Sequence, residues 1–336
     1  MKKHSLWFLM ALLIVFVTQP MFAGGEQEDG TFLIKYAHNQ KIGSPQDEGV
    51  NIFKNKVEEL SGGRIKVEVY PDNQLGSLRE VIESVQGGQI EMAQQPLGMI
   101  ANFVPVLNIN DLPYLYPSEE VLWKVLDGEM GDKLSAAMFD NNFVNVGYHS
   151  GGPKQFSANI PLRTPEDFSK VKLRAMPAPI IIATFEAFGA TAVPIEFSEL
   201  YNSLQQGVVD GQENPMQTVS MLKLYEVQDY VSYTNHSWMI YANIINKQFW
   251  DTLPSDLQDI IYEAMAYAAP LQRELMREAE EDYIKETEAN GCKVIFLTDE
   301  EKEVLTKRAK AVHEKFAPEI GIDFYNEYVE AVESLQ

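Results

Sequence analysis

Two segments near the middle of the chain carry the residues best suited to chemistry. One contains Asn214 and reads LQQGVVDGQENPMQ, and the other contains Arg174 and reads VKLRAMPAPIIIATF. A guanidinium can hold a carboxylate through two parallel hydrogen bonds, and an asparagine amide can donate to the same group. These residue types therefore predict a site for a small organic anion.

Both segments predict a short strand that is followed by a helix. Pro215 pushes Asn214 out of the helical conformation, so Asn214 is expected to be the N-cap of the next helix. The other strand ends at Arg174, and Pro177 or Pro179 opens its helix. Anions favour helix N-termini, and ligands of open α/β sheets lie beyond the carboxyl ends of the strands. We expect Arg174 and Asn214 to meet over one ligand; a plain helix cap and a solvated arginine are the alternatives.

Four further polar residues follow or close predicted strands. His38 and Asn39 come after the first strand, and Gln94 and Gln95 close the strand QIEMAQQ. The strand-end rule places them at the same cleft, where they would suit hydroxyl groups of a ligand. Ordinary loop polarity explains them equally well.

Three ring-bearing residues could offer a face to a sugar acid or an aromatic acid. They are Tyr148, His149 and Trp238. For Trp238 we favour core packing, because large aromatic side chains are strongly buried in most proteins.

Motifs of common enzymes are missing from the sequence. The five histidines form no H-E-x-x-H pair, and neither a G-x-S-x-G elbow nor a phosphate-binding glycine loop occurs. The stretch DGQE lacks the alternating oxygen ligands of a calcium loop. We therefore predict no catalytic residue, no metal and no cofactor. An exported hydrolase or lyase with Glu213 or His149 as general base is the alternative, and the extracytoplasmic part of a sensor is a third interpretation.

Composition and charge limit the class of protein. The 336 residues are 45% hydrophobic and 23% charged, which is typical of a globular protein. The formal net charge of -22 argues against a nucleic-acid partner, because phosphate backbones attract basic surfaces.

The first 25 residues are typical of a signal peptide. Lys2 and Lys3 precede an apolar run from Leu6 to Val17, which is shorter than the roughly 20 residues of a membrane span. Small residues from Ala23 to Gly25 suit cleavage, and an uncleaved anchor is the alternative. The only cysteine is Cys292, so we predict neither a disulfide nor a lipid anchor. We expect an exported, soluble protein.

The elements around the site predict two α/β lobes. In the first half, the strands TFLIKYAHN, RIKVEVYP and QIEMAQQP alternate with two helices, the second of which opens with a capping box at Ser77 and Glu80. In the second half, VNVGYHS, VKLRAM and VVDGQEN predict strands, and helices end at Gly189 and Gly207. We expect a largely parallel sheet in the first lobe and a second α/β lobe after it.

The last third is mainly helical. Ser255 and Gln258 predict another capping box, and a helix of roughly 50 Å should run from there to Asn290, with a kink near Pro270. A helix of this length is expected to lie across both lobes.

The blocks KVKLRAMPAP, FGATAVPIEFSELYNSLQQGVVDGQENP and YPDNQLGSLREVIESVQGGQIEMA resemble the solute-binding proteins of TRAP transporters, the tripartite ATP-independent periplasmic family. The resemblance runs from about Lys35 to the long helix. It implies an α/β, two-lobed periplasmic-binding-protein-like fold with a hinge, a central cleft and a long C-terminal helix bracing both lobes. Lobe I would comprise 26–151 plus 240–279, and lobe II 152–239 plus 280–336.

The resemblance also implies function and residue roles. The protein would be located in the periplasm, where it would capture a small organic acid by hinge closure and deliver it to a large and a small membrane subunit. Arg174 and Asn214 would contact the ligand carboxylate, and Phe197 would line the cleft. Lys154 falls where many family members place a second cation, often arginine. The sequence leaves open whether the solute is a dicarboxylate, keto acid, uronic acid, sialic acid or aromatic acid.

Overall fold

The computed structural model describes residues 30–335, so the predicted signal peptide lies outside the described residues. The strands are β1 (Phe32–Ala37), β2 (Ile65–Tyr70), β3 (Met92–Pro96), β4 (Phe143–Ala158), β5 (Lys172–Ala175), β6 (Thr191–Pro194), β7 (Gly211–Pro215), β8 (Tyr230–Tyr233), β9 (Trp238–Asn246) and β10 (Lys293–Phe296). The helices are α1 (Pro45–Leu60), α2 (Leu78–Gln86), α3 (Leu97–Ile100), α4 (Glu119–Leu126), α5 (Glu129–Phe139), α6 (Pro165–Phe168), α7 (Pro179–Phe188), α8 (Leu200–Gln205), α9 (Met216–Met221), α10 (Lys247–Thr252), α11 (Ser255–Ala289), α12 (Asp299–Ile320) and α13 (Ile322–Ser334), with 3-10 turns at Pro105–Asp111, Phe197–Glu199 and Leu224–Glu226.

The strands form a mixed sheet in the order β2-β1-β3-β9-β4-β7-β5-β6, with β8 on β4 and β10 on β8. Pairs of outer strands are parallel, such as β1 with β2 and β5 with β6. The central strands β9 and β4 are antiparallel to their neighbours. The predicted parallel pairing in the first lobe holds for β2, β1 and β3, whereas β9 joins β3 in the antiparallel direction.

Strand β4 joins the two halves of the fold. Its first part pairs with β9 and its last part with β7 and β8. The sequence predicts a strand that ends at Ser150, but the strand continues through Gly151, Gly152 and Pro153 to Ala158. Two register shifts against β9 allow this continuation, because bulges bend a strand without ending it. One strand thus serves both lobes.

Helix α11 is a single element of 35 residues that contains Pro270. It packs against α1 and the first part of the sheet, and against α9 and β10 in the second part, as expected of a helix that lies across both lobes. The predicted capping box at Ser255 is wrong. Pro254 is the N-cap, and the Gln258 amide instead donates to the Trp250 carbonyl oxygen at 2.9 Å.

The two last helices also connect the halves. Helix α12 packs against α7 and against the 3-10 turn at Pro105–Asp111, and α13 packs against α4. The Tyr328 hydroxyl lies 2.6 Å from the Tyr116 hydroxyl and 3.1 Å from Asn110 Oδ1, all three buried. Within residues 30–335, none of the helices is both long enough and apolar enough to cross a membrane.

Candidate functional site

A small cavity lies between the two parts of the sheet, and both residues singled out first in the sequence line it. Its walls come from the β1, α2 and β3 side, from the β5 and β7 side, and from β9 between them. The lining residues are Asn39, Leu78, Pro96, Arg174, Met176, Phe197, Glu213, Asn214, Met239 and Tyr241.

Arg174 is the cation of this cavity. It lies on β5, one residue before the strand ends, and is 2% exposed. Its Nε donates to the Ile195 carbonyl oxygen at 2.8 Å, which fixes the guanidinium, while Nη2 is buried without a hydrogen-bond partner. Burial lowers the pKa of Arg174 to about 10, against the effect of Glu213 and Glu196, so the group stays charged at neutral pH. A buried, charged donor without a partner is suited to an anionic ligand.

Asn214 lines the cavity, but it is not the N-cap of a helix. Strand β7 continues through Asn214 to Pro215, and Pro215 is the N-cap of α9. The extended conformation that proline imposes on the preceding residue keeps Asn214 in the strand, opposite Gln155 of β4. Its Nδ2 donates to Gln212 Oε1 at 2.5 Å, which holds the amide in place. Helix α9 ends at Met221.

The facing wall adds polar groups from the other part of the sheet. Asn39 is 3% exposed, and its Oδ1 is buried without a hydrogen-bond partner. Tyr241, on β9, accepts a hydrogen bond from Gln40 Nε2 at 2.6 Å. Gln40 Oε1 in turn accepts from Gln217 Nε2, on α9, at 3.2 Å. This last bond joins residues that follow strands on opposite sides of the cavity, so the structure is closed around it.

Lys154 is not one of the residues that line the cavity. It is fully buried, and its Nζ lies 2.7 Å from Asp111 Oδ1 and 3.7 Å from Glu213 Oε1. Burial disfavours its charge, but the two carboxylates outweigh this effect and raise the pKa of Lys154. Glu213 Oε1 also lies 3.0 Å from His236 Nε2. Burial opposes ionisation of Glu213, yet Lys154, His236 and Arg174 lower its pKa. Lys154 is thus engaged within the protein.

Gln94, Gln95 and His149 are buried but lie outside the cavity lining. Gln94 Nε2 lies 2.6 Å from His149 Nδ1. Burial lowers the pKa of His149 to about 3, with Arg273 and His38 contributing, so its ring is neutral at physiological pH. Gln95 precedes Pro96, which does line the cavity.

The remaining predicted residues have other surroundings. His38 Nε2 lies 3.1 Å from Asp47 Oδ1, near the start of α1. The Tyr148 hydroxyl lies 3.4 Å from Ser135 Oγ and lines a separate groove beside α11. Trp238 is half-buried and packs against the hydrophobic core, the role favoured from the sequence. Of the predicted residues, Arg174, Asn214, Phe197 and Asn39 are brought together at the cavity.

Comparison with known proteins gives the family. Residues 36–319 match the family model described as "Bacterial extracellular solute-binding protein, family 7". The chain belongs to this family. The C4-dicarboxylate-binding periplasmic protein DctP of Rhodobacter capsulatus is 33% identical over 296 residues, which cover 87% of this chain and 88% of that protein.

Solved structures agree with this assignment. The sugar acid binding protein DctPAm from Advenella mimigardefordensis, in complex with galactonate, matches with a TM-score of 0.88 and 28% identity over 91% of this chain and 99% of that chain. A TRAP periplasmic solute binding protein from Sulfurospirillum deleyianum, with bound succinate, matches with a TM-score of 0.84 and 33% identity over 89% of this chain and 98% of that chain. The predicted TRAP resemblance and the two-lobed fold are confirmed. This family 7 protein is a solute-binding protein and not an enzyme.

The sequence did not indicate most of the apolar lining of the family 7 site. The missed residues are buried and apolar like the residues of the core, so nothing in the sequence separates them from it; they are Leu78, Pro96, Met176 and Met239. Tyr241 could have been predicted as a site residue, because it lies on the buried strand β9 and a buried tyrosine hydroxyl requires a hydrogen-bond partner.

The chemistry of the site agrees with binding. Glu213, one of the two general bases considered for the alternative enzyme, is held by Lys154 and His236. Within residues 30–335, no group of three or more histidine, cysteine or acidic side chains is arranged to hold a metal ion.

Proposed function

We propose that this protein captures a small organic acid in the cavity between its lobes, through its carboxylate, and delivers it to the membrane subunits of a TRAP transporter. The observation that carries the proposal is the Arg174 guanidinium, which is buried and charged and keeps one nitrogen without a partner beside Asn214. Relatives whose names or structures record C4-dicarboxylates, galactonate and succinate support an organic acid.

The ligand would bind to one lobe while the cleft is open, and the lobes would then close over it. The elements that pass between the two parts of the sheet are β4, β9 and α11, so they are the candidates for the hinge. Closure removes water from the cavity, which strengthens the attraction between Arg174 and a carboxylate. The lobe boundaries at 151/152, 239/240 and 279/280 belong to this proposal.

Transport requires partners and a location that fit the family. We propose a large and a small membrane subunit as partners, and export to the periplasm by the signal peptide at residues 1–25, with cleavage near Ala23–Gly25 and without a lipid anchor. The extracellular family description and the periplasmic location of DctP support the coarse part of this proposal.

A thermal-shift panel of organic acids on the mature protein tests the binding function. A ligand at about 100 times its Kd should stabilise the protein by about 2.7 kcal/mol. Arg174→Ala should abolish this shift, because it removes the cation, and Arg174→Lys should weaken it, because an ammonium lacks the planar fork. Circular dichroism confirms that each variant is folded.

A shift that survives in folded Arg174→Ala would show that the acid binds elsewhere. Mass analysis of the acid after incubation separates binding from catalysis: a binding protein returns the ligand unchanged, whereas a hydrolase or lyase does not.

A further inference from the structure

The charges around the cavity limit how many carboxylates a ligand can carry. Among the described residues, one cation lines the cavity, Arg174. The second buried cation nearby, Lys154, is 0% exposed and is held by Asp111 at 2.7 Å. Lys154 does not line the cavity, so it cannot balance a second ligand carboxylate unless its ion pair with Asp111 is broken.

The position of Glu213 also disfavours a second carboxylate on the ligand. Its carboxylate is part of the cavity lining and is ionised beside Lys154 and His236. A distal carboxylate on the ligand would share a small, water-poor space with this negative group. Like charges in such surroundings repel strongly, and a buried charge without a partner is costly.

Most of the remaining lining is apolar. Half of the cavity residues have carbon or thioether side chains without a hydrogen-bonding group, and four of them are buried; these five are Leu78, Pro96, Met176, Phe197 and Met239. Such a surface favours a hydrocarbon group and offers nothing to the hydroxyls of a long sugar acid.

Two polar groups next to the apolar surface can serve one hydroxyl. Asn39 Oδ1 is a buried acceptor without a partner, so it lacks a donor. The Asn39 and Gln40 side chains both hydrogen-bond to the Tyr241 oxygen, and burial raises the pKa of Tyr241, so the phenol stays protonated. A ligand hydroxyl can donate to Asn39, which a keto group cannot do.

We infer that the ligand is a short 2-hydroxy monocarboxylate with an apolar tail. Its carboxylate pairs with Arg174 and Asn214, its hydroxyl donates to Asn39, and its tail packs against the apolar wall. This inference rests on the proposed function and names the class of acid for that same site.

Three acids of matched size test the inference on the wild-type mature protein by isothermal titration. The first is 2-hydroxy-4-methylpentanoate; the second is malate, in which a carboxylate replaces the isopropyl group of the first; the third is 4-methylpentanoate, which lacks the hydroxyl. We expect the first acid to bind at least ~10-fold more tightly than either of the others, because each of these leaves one buried group unpaired. Arg174→Ala should remove the binding of the first acid.

The outcomes separate this inference from the proposed function. Tighter binding of malate, lost in Arg174→Ala, would overturn the monocarboxylate inference and leave the proposed function standing. Equal binding of 4-methylpentanoate would overturn the role of Asn39. Binding of any of the three acids that persists in folded Arg174→Ala, or no binding of any acid here and in the wider panel, would overturn the proposed function as well.

Discussion

At the scale of single residues, burial decides what a charged or polar side chain does. Arg174 and Lys154 are both buried cations, yet only Arg174 keeps a nitrogen without a partner. Lys154 forms an ion pair with Asp111, which lies on a 3-10 turn far away in the chain but close in space. Removing either partner of such a buried ion pair would leave the other charge buried and uncompensated, which is costly. The pair with Asp111 therefore keeps Lys154 in place.

His149 predicts a dependence of stability on pH. Burial lowers its pKa to about 3, whereas the pKa of histidine in an unfolded chain is about 6.5. Between these values the unfolded state binds the proton and the folded state does not, so stability rises with pH and is lost as pH falls below about 6.5. From pH 7 to pH 5 the loss due to His149 should be about 2 kcal/mol.

Urea unfolding of the wild type and of His149→Gln at pH 7 and pH 5 measures this effect. The variant should lose about 2 kcal/mol less than the wild type between the two pH values, whatever its stability at pH 7. Equal losses in both proteins would mean that His149 does not supply the pH dependence.

The sequence predicts residues at this scale when their type is unusual for their place. Arg174 at the end of a strand and before a proline is such a case, and the structure places it at the cavity. The partner of Lys154 could not be predicted, because Asp111 lies far away in the chain. The apolar lining was missed for a related reason: Met239 looks like any buried residue of a strand.

At the scale of elements, local hydrogen bonds decide where helices begin. Ser77 and Glu80 form the predicted capping box of α2, with both reciprocal bonds present. The same pattern at Ser255 forms no box, because Pro254 takes the N-cap position and fixes the entry of the chain. A pattern of four letters therefore predicts a cap only where the preceding residue permits it.

A matched pair of substitutions tests this difference. Ser77→Ala should lower the free energy of unfolding by about 1 kcal/mol, because it removes the cap of the helix whose first residue, Leu78, lines the cavity. Ser255→Ala should change it by less than about 0.5 kcal/mol, because no side-chain cap is lost. Urea unfolding of both variants measures the two changes, and a larger loss at Ser255 would contradict the assignment.

At the scale of the whole molecule, the continuous strand β4, its partner β9 and helix α11 join the lobes, together with the last two helices. The length of α11 predicts that it lies across both lobes, because a helix of roughly 50 Å is longer than the diameter of one small domain. The sequence does not predict that β4 runs through both parts of the sheet. Gly151, Gly152 and Pro153 are typical of a turn, and only tertiary pairing keeps them extended.

Closure of the whole molecule predicts a kinetic effect for Gln217. Its amide donates to Gln40 across the cavity, and Gln40 donates to Tyr241, so this bond belongs to the closed form. Gln217→Ala should weaken the closed form by about 1 kcal/mol, which is about a fivefold loss of affinity. The loss should appear in faster ligand dissociation, because association begins in the open form, where the bond is absent.

Stopped-flow measurements with the acid found in the thermal-shift panel give both rate constants. Gln205→Ala, at an exposed position of α8, is the control and should leave both rates unchanged. Urea unfolding of the ligand-free variants checks that Gln217→Ala does not simply loosen α9. A slower association rate with an unchanged dissociation rate would show that Gln217 acts before closure, and the bond to Gln40 would then not be what keeps the lobes together.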